Sequence, residues 1–370
     1  MRRKSGISRK GRIGLGRTGP GRTGPGRQQA GPPNRRPEAV AARTDRSGEF
    51  DLIARYFKPL AAGRDGAFGL TDDAALLGVS DGADRIVTTD ALVEGLHFRP
   101  DDPPDRIARK ALRVNLSDLA AMGAAPEVYT LALRIPDERD DDWVAALARG
   151  LAADQARYGV TLIGGDTVGG GADGDSGPAM LSVTAIGRLA RGPVLRRGGA
   201  APGDDVWVSG TIGDGGLGLR VCKGEAAGLD AAQRRFAIDR YQLPEPRVDL
   251  GPALVGTATA CLDISDGLVA DLGHLARESG LAAEILLADV PWSDAAEASG
   301  FPEIERIVAG DDYELLFTAP PERRRAVEAA AGGAGIPVAR IGRMQPGGGV
   351  RVLDRNGRPL AVPRTGWRHR

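Results

Sequence analysis

Apolar β-branched runs alternate with apolar positions at helical spacing along most of this chain, and the two periods predict its elements. Phe50, Ile53, Ala54 and Phe57 recur at helical spacing after Ser47, a residue suited to cap a helix. RIVTTD (85–90) predicts a strand and DRIARKALRVNLSDLAAM (105–122) a long helix. A strand over 129–135, a helix over 140–156, a strand over 160–163 and, past a glycine-rich loop, a strand over 179–187 complete a first half. The second half reads as a turn and strand within 201–210, a helix over 215–222 and a proline-led helix over 244–255. A βαβ-like unit over 258–263, 267–278 and 281–287 comes next. Strands over 305–309 and 313–318, a helix over 320–331 and a strand over 337–342 close the chain. Strands alternating with helices in both halves predict a mixed α/β (α+β) fold in two domains, residues 48–188 and 189–370.

The pattern fails before residue 48. GRTGPGRTGPGR (16–27) repeats a Gly, Pro and Arg unit with no apolar surface to bury, so 1–47 reads as a disordered tail. Residues 1–46 carry 13 basic residues against Glu38 and Asp45, which leaves the remainder net acidic although Lys+Arg and Asp+Glu balance at 49 each. Such a tail is either a dispensable extension or a basic arm. It holds no aromatic residue and adjoins no basic domain, so nucleic-acid binding is not expected. With 42% hydrophobic residues but only 4% aromatics, Ala, Val, Leu and Ile must fill the core. Cys222 and Cys261 follow no metal or disulfide spacing, which suits a reduced, cytoplasmic protein. No apolar run has the length of a membrane span, and the basic N-terminus lacks a signal peptide's apolar stretch.

The candidate chemistry lies in carboxylates. Asp90, Asp166, Asp263 and Asp312 each follow a short apolar run, which places a carboxylate at a sheet's rim, where open α/β sheets bind ligands. Asp118 of the long helix faces either solvent or a charged cleft, and in the second case it would join them in one acidic cluster. Such a cluster repels itself unless cations occupy it, and carboxylates suit Mg²⁺ ions that handle phosphates. In RIVTTDALVEGLHF (85–98), Thr88 and Thr89 add oxygens and His97 follows one loop later. Gly164 and Gly165 before Asp166 allow close backbone approach to a ligand, or are simply a loop pair. In LDISDGL (262–268), Asp263 ends a strand, Ser265 stands near a helix N-terminus, and Asp266 fits either a ligand or a cap. The two acids of GLTDDAALL (69–77) alone read as a surface turn. There is no phosphate-binding G-x-x-x-x-G-K-[ST], and no lysine follows Lys223. Gly213, Gly215 and Gly218 spell G-x-G-x-x-G without the second acid-ending strand of a dinucleotide site. His97, His274 and His369 are too scattered for a zinc or triad assignment.

In order, GEFDLIARYF, TDDAALL, TTDALVEGLHF, KALRVNLSDLAAMGA, LIGGDT, LRRGGAAPGD, LDISDGLVADLGH and GDDYELLF resemble the thiamine-monophosphate kinases, a family of the PurM-like (AIR synthetase-like) superfamily, over residues 48–370. The resemblance implies a PurM-like fold whose N-terminal sheet domain dimerises. It implies transfer of the ATP γ-phosphoryl group to thiamine monophosphate, directly in line, with several Mg²⁺ ions. It makes Asp73, Thr88, Thr89, Asp90, Asp118, Asp166, Asp263 and Asp266 the metal ligands, with Asp90, Asp118 and Asp263 central to catalysis. Gly165, Asp166, Arg197 and Ser265 would meet ATP; His97, Asp311 and Trp367 would face thiamine monophosphate. Asp311 departs from the family's usual Glu. Other PurM-like ATP enzymes and a non-catalytic Mg-nucleotide sensor are the competing readings. Selenophosphate synthetase needs a reactive residue near its N-terminal glycine loop, whereas both cysteines here follow residue 220.

Overall fold

Alternating strands and helices in the first half build one four-stranded sheet, β1 (Asp84–Val93), β2 (Ala125–Arg134), β3 (Thr161–Val168) and β4 (Met180–Leu189), in the order β1-β4-β2-β3. A computed structural model describes residues 52–64, 83–169, 177–189, 193–362 and 366. The expected tail, Ser47, Phe50, Asp73 and Trp367 lie outside the described residues. β4 pairs antiparallel with both β1 and β2, and β2 pairs parallel with β3. Two helices cover the inner face: α1 (Pro104–Ala121) and α2 (Asp141–Tyr158). The Asp140 side chain caps α2 by accepting from Trp143 N, and left-handed Gly159 ends it.

The second half forms a six-stranded sheet from β5 (Asp205–Ser209), β6 (Ala260–Asp263), β7 (Ala282–Leu286), β8 (Leu315–Ala319), β9 (Val338–Gln345) and β10 (Gly349–Leu353), in the order β10-β7-β9-β5-β8-β6. β5 and β8 are buried at every position, as strands covered on both faces must be. One face meets the helix Leu268–Glu278. The other meets Leu250–Leu254 and Arg324–Ala334. Ala120 and Ala121 of α1 enter this second core beside Trp207 and Phe317. α1 is thus buried on nearly all sides, including Lys110, Arg113, Asn115 and Ser117.

Several elements differ from expectation. The strand ending at 163 continues through Gly164, Gly165 and Asp166, which pair with Thr130, Leu131 and Ala132. A Cβ at Gly165 would stand 1.9 Å from the Leu131 carbonyl oxygen, so the glycine serves strand contact. The helix expected over 244–255 shrinks to 250–254, because Pro244 and Pro246 bias their preceding residues away from helix. Residues 305–309 are not a strand; Glu303–Arg306 is a short helix. The strands 260–263 and 282–286 share a sheet but are separated by β8, β5 and β9. The first helical segment winds as a π turn (Ile53–Phe57) and a 3₁₀ turn (Lys58–Ala61) at Pro59, burying Leu52, Phe57 and Leu60 and exposing Ala54.

Candidate active site

Where α1 passes between the two sheets, carboxylates from both halves meet. Thr88 and Asp90 sit two apart on β1, on the inward face shared with buried Leu92. Thr88 Oγ1 donates to Asp118 Oδ2 at 2.7 Å, and Ser117 Oγ donates to Asp263 Oδ2 at 2.6 Å. Consecutive residues of α1 therefore reach β1 through Asp118 and the end of β6 through Ser117. Thr88, Asp118, Asp263, Met122 and Arg197 line a cavity of about 210 Å³. Burial, reinforced by the Asp263 and Asp90 charges, pushes the Asp118 carboxyl up to about 7, against the Thr88 bond and Arg197. Burial, with the Asp271 and Asp90 charges, pushes Asp263 up to about 6, against the Ser117 bond and Arg197. Raised values at both acids, beside the Asp90 charge, describe a site short of positive charge. Its donors are all oxygens, a set that fits a hard divalent cation such as Mg²⁺.

The loop after β6 is drawn tight by an acid that sequence reasoning missed. Asp271 Oδ2 accepts from the backbone N–H groups of Ser265, Asp266 and Gly267 at 3.0–3.1 Å. Burial and the Asp266 charge push Asp271 up to about 7 despite those bonds. Its signal was an acid in the first turn of a helix that begins after a glycine. The Asp266 carboxylate gathers with Asp271 and His274 rather than on the Asp118 cavity wall, and Asp271 links the two groups.

A second cavity has a volume of about 480 Å³. His97, Arg99, Arg220, Tyr241, Asp311 and Gly366 are among its lining residues. His97 is oriented by Val93 N, which donates to its Nδ1 at 3.0 Å. Asp311 and Tyr313 adopt left-handed φ angles of 70° and 52°, uncommon for non-glycine residues and frequent at functional sites. Backbone bonds from Asp311 N to Ser265 O and Tyr313 N to Ile264 O lash this loop to the one after β6. Desolvation, with the charges of Asp311, Asp263, Asp90 and Asp118, pushes the phenol of the partly buried Tyr313 well above its ordinary value. Tyr313 thus belongs to the loop that carries Asp311, its hydroxyl 3.5 Å from Asp311 Oδ1, and is tied by its backbone to the loop after β6.

The structure thus brings together Thr88, Asp90, Asp118, Asp263 and Arg197, and separately His97 with Asp311. It does not gather all the rest. Thr89 points to the opposite face of β1, where its hydroxyl bonds Val183 O and Thr184. Asp166 pairs with exposed Ala132 on that same outer face, three strand spacings from β1, roughly 14 Å. Gly165 lies beside it at that edge. Within one chain, neither Thr89 nor Asp166 reaches the cluster. Asp90 lies inside β1 rather than beyond its end. Asp312 also stays out of the cluster: its buried carboxylate accepts from Gly213 N at 2.7 Å and Gly215 N at 3.0 Å, holding the start of the helix Asp214–Cys222.

Residues 71–189 match the family model for the AIR synthase related protein N-terminal domain, and residues 201–355 that for the C-terminal domain. A thiamine-monophosphate kinase of Caulobacter vibrioides is 41% identical over 339 residues, covering 90% of this chain and 94% of that protein. The chain belongs to the thiamine-monophosphate kinase family. Among solved structures of the family, one from Stenotrophomonas maltophilia superposes with a TM-score of 0.74 at 41% identity, over 85% of this chain and 98% of that one. AaThiL complexed with AMPPCP and TMP gives a TM-score of 0.68 at 33% identity, over 87% and 97%. The PurM-like, two-sheet architecture is that of the family.

Proposed function

We propose that this protein transfers the γ-phosphoryl group of ATP to the phosphate of thiamine monophosphate, giving ADP and thiamine diphosphate, the last step of thiamine diphosphate biosynthesis. The observation that carries this reading is a two-part site whose loops are bonded to each other: a carboxylate cluster with Arg197 on its wall, and a cavity lined by His97 and Asp311. AaThiL, its relative, was solved with AMPPCP and TMP.

Asp90, Asp118 and Asp263 hold the Mg²⁺ ions, with Thr88 and Ser117 fixing two of those carboxylates. When bound, Mg²⁺ supplies positive charge between phosphate groups that otherwise repel. Arg197, on the wall of the carboxylate cavity, meets an ATP phosphate, a task suited to its planar fork. Ser265 presents its hydroxyl near the start of the following helix, and Asp266 completes the acid set on that side. The acceptor is a phosphate oxygen already carrying charge, so no strong general base is needed and transfer is direct and in line. Asp311 faces the positively charged thiazolium of the substrate. His97 lines that pocket; Trp367 and Asp73, outside the described residues, would serve the thiamine substrate and the metal ions respectively.

The protein acts as a homodimer through the outer face of the first sheet, in the cytoplasm. Val87 on that face is 61% exposed, as an unpartnered interface residue would be. Thr89, Gly165 and Asp166 then address the partner's site. Residues 48–188 form the ATP- and Mg-binding domain and 189–370 the second domain. The test is ADP release from ATP and Mg²⁺ with and without thiamine monophosphate, with product separated by chromatography. Thiamine diphosphate that requires both additions supports the proposal; ATP binding without that product rejects it.

A further inference from the structure

Lys110 lies on α1 among alanines and leucines and is only 2% exposed. Its ammonium reaches three places. It donates to the His97 carbonyl at 3.0 Å, pairs with Asp311 Oδ1 at 3.1 Å, and sits 4.0 Å from the centre of the Tyr241 ring. His97, Asp311 and Tyr241 come from three separate elements, and all three line the 480 Å³ cavity; Lys110 itself does not. One buried cation thus gathers the walls of the pocket from behind. An ammonium offers three donors and no acceptor, so two hydrogen bonds and a ring face use it fully.

The same contact controls charge. Asp311 stands on strained, left-handed backbone, and its side chain is about a third as accessible as a free one, at 29%. Without Lys110 its carboxylate would lose its one ion-pair partner among the described residues. With Lys110, Oδ1 is engaged and the carboxylate is presented in one orientation.

Resting on the kinase reading above, we propose that Lys110 is the positioning residue of the thiamine monophosphate pocket. It acts through His97, Asp311 and Tyr241 without touching substrate. It sets affinity for the thiamine substrate and leaves that for ATP alone.

The test is steady-state kinetics of the full-length protein and of Lys110→Met, with each substrate varied in turn and thermal melting alongside. Wild type that makes no thiamine diphosphate overturns the kinase reading and this inference with it. With active wild type, the expected result is a rise in KM for thiamine monophosphate of about tenfold or more, as loss of charged hydrogen bonds implies. KM for ATP stays within about twofold, and Asp311→Asn added to Lys110→Met raises KM little further, since the pair acts as a unit. Equal shifts in both KM values, or a loss in kcat alone, overturn the proposal. Should Lys110→Met fail to fold, Tyr241→Leu removes the ring beneath the ammonium. A KM for thiamine monophosphate raised by about threefold or more with that for ATP unmoved supports the assignment, and unmoved values for both reject it.

Discussion

Asp118 and Asp263 hold protons more tightly in the folded protein than the ordinary carboxyl value of 3.8 allows, at about 7 and about 6. The folded chain then binds more protons than the unfolded one between those limits. Their contribution to stability is therefore lost as pH rises from 3.8 towards 7. Metal-free protein should melt lower at pH 8 than at pH 5.5 on their account, and Mg²⁺ should restore more at pH 8, where it need not displace protons. A Mg²⁺-induced shift in melting temperature that is larger at pH 5.5 would contradict this. Asp118→Asn separates stability from function. It removes a repelling charge, so metal-free protein should melt no lower at pH 8. Turnover should fall by about a hundredfold or more, the equivalent of about 3 kcal/mol of lost charge stabilisation. Retained turnover would remove Asp118 from the metal site.

Among the elements, the helix N-terminus at Asp214 depends on Asp312, whose two oxygens each accept a backbone N–H. Asp312→Asn replaces one acceptor with a donor facing a donor, and should cost about 1–3 kcal/mol in chemical denaturation. A cost below about 0.5 kcal/mol would show that the clamp is dispensable. Gly251 lets the helix Leu250–Leu254 touch α1, since a Cβ there would meet the Ala120 carbonyl oxygen at 1.9 Å. Gly251→Ala should therefore destabilise by about 1–3 kcal/mol through forced separation of the two elements, read by the same denaturation. These contacts explain what the sequence made legible. β1, α1 and β4 announce themselves through strong periodicity. The helix Ala231–Gln242 escaped notice because its buried side carries Arg240, Tyr241 and Gln242 in place of an apolar stripe. The face of Thr89 was readable, since 88 and 90 must point one way and 89 the other. The face of Asp166 was not, because the pairing skips Ile163 between Leu162 and Gly164. Asp312 looked like its neighbours in sequence; only the fold shows its carboxylate turned to Gly213 and Gly215.

At the scale of the whole molecule, the proposed dimer rests on the outer face of the first sheet. Val87→Arg together with Val168→Arg, at residues 61% and 49% exposed, should halve the mass seen by light scattering. An unchanged mass would move the interface elsewhere. Removing residues 1–46 should leave kcat/KM within about twofold, because a Gly, Pro and Arg repeat with no apolar surface adds nothing to the described site. α1 has a different standing. It contributes to the first core through Leu112 and Leu116 and to the second through Ala120 and Ala121. It also sends Thr88's partner Asp118 to one side and Ser117 to Asp263 on the other. A chain divided between the two sheets would leave Asp118 on one fragment and Asp263 on the other, each fragment with an uncovered apolar face. Reassembly from two separately synthesised polypeptides would then regenerate turnover only when both are present, which makes this molecule a natural template for a split reporter.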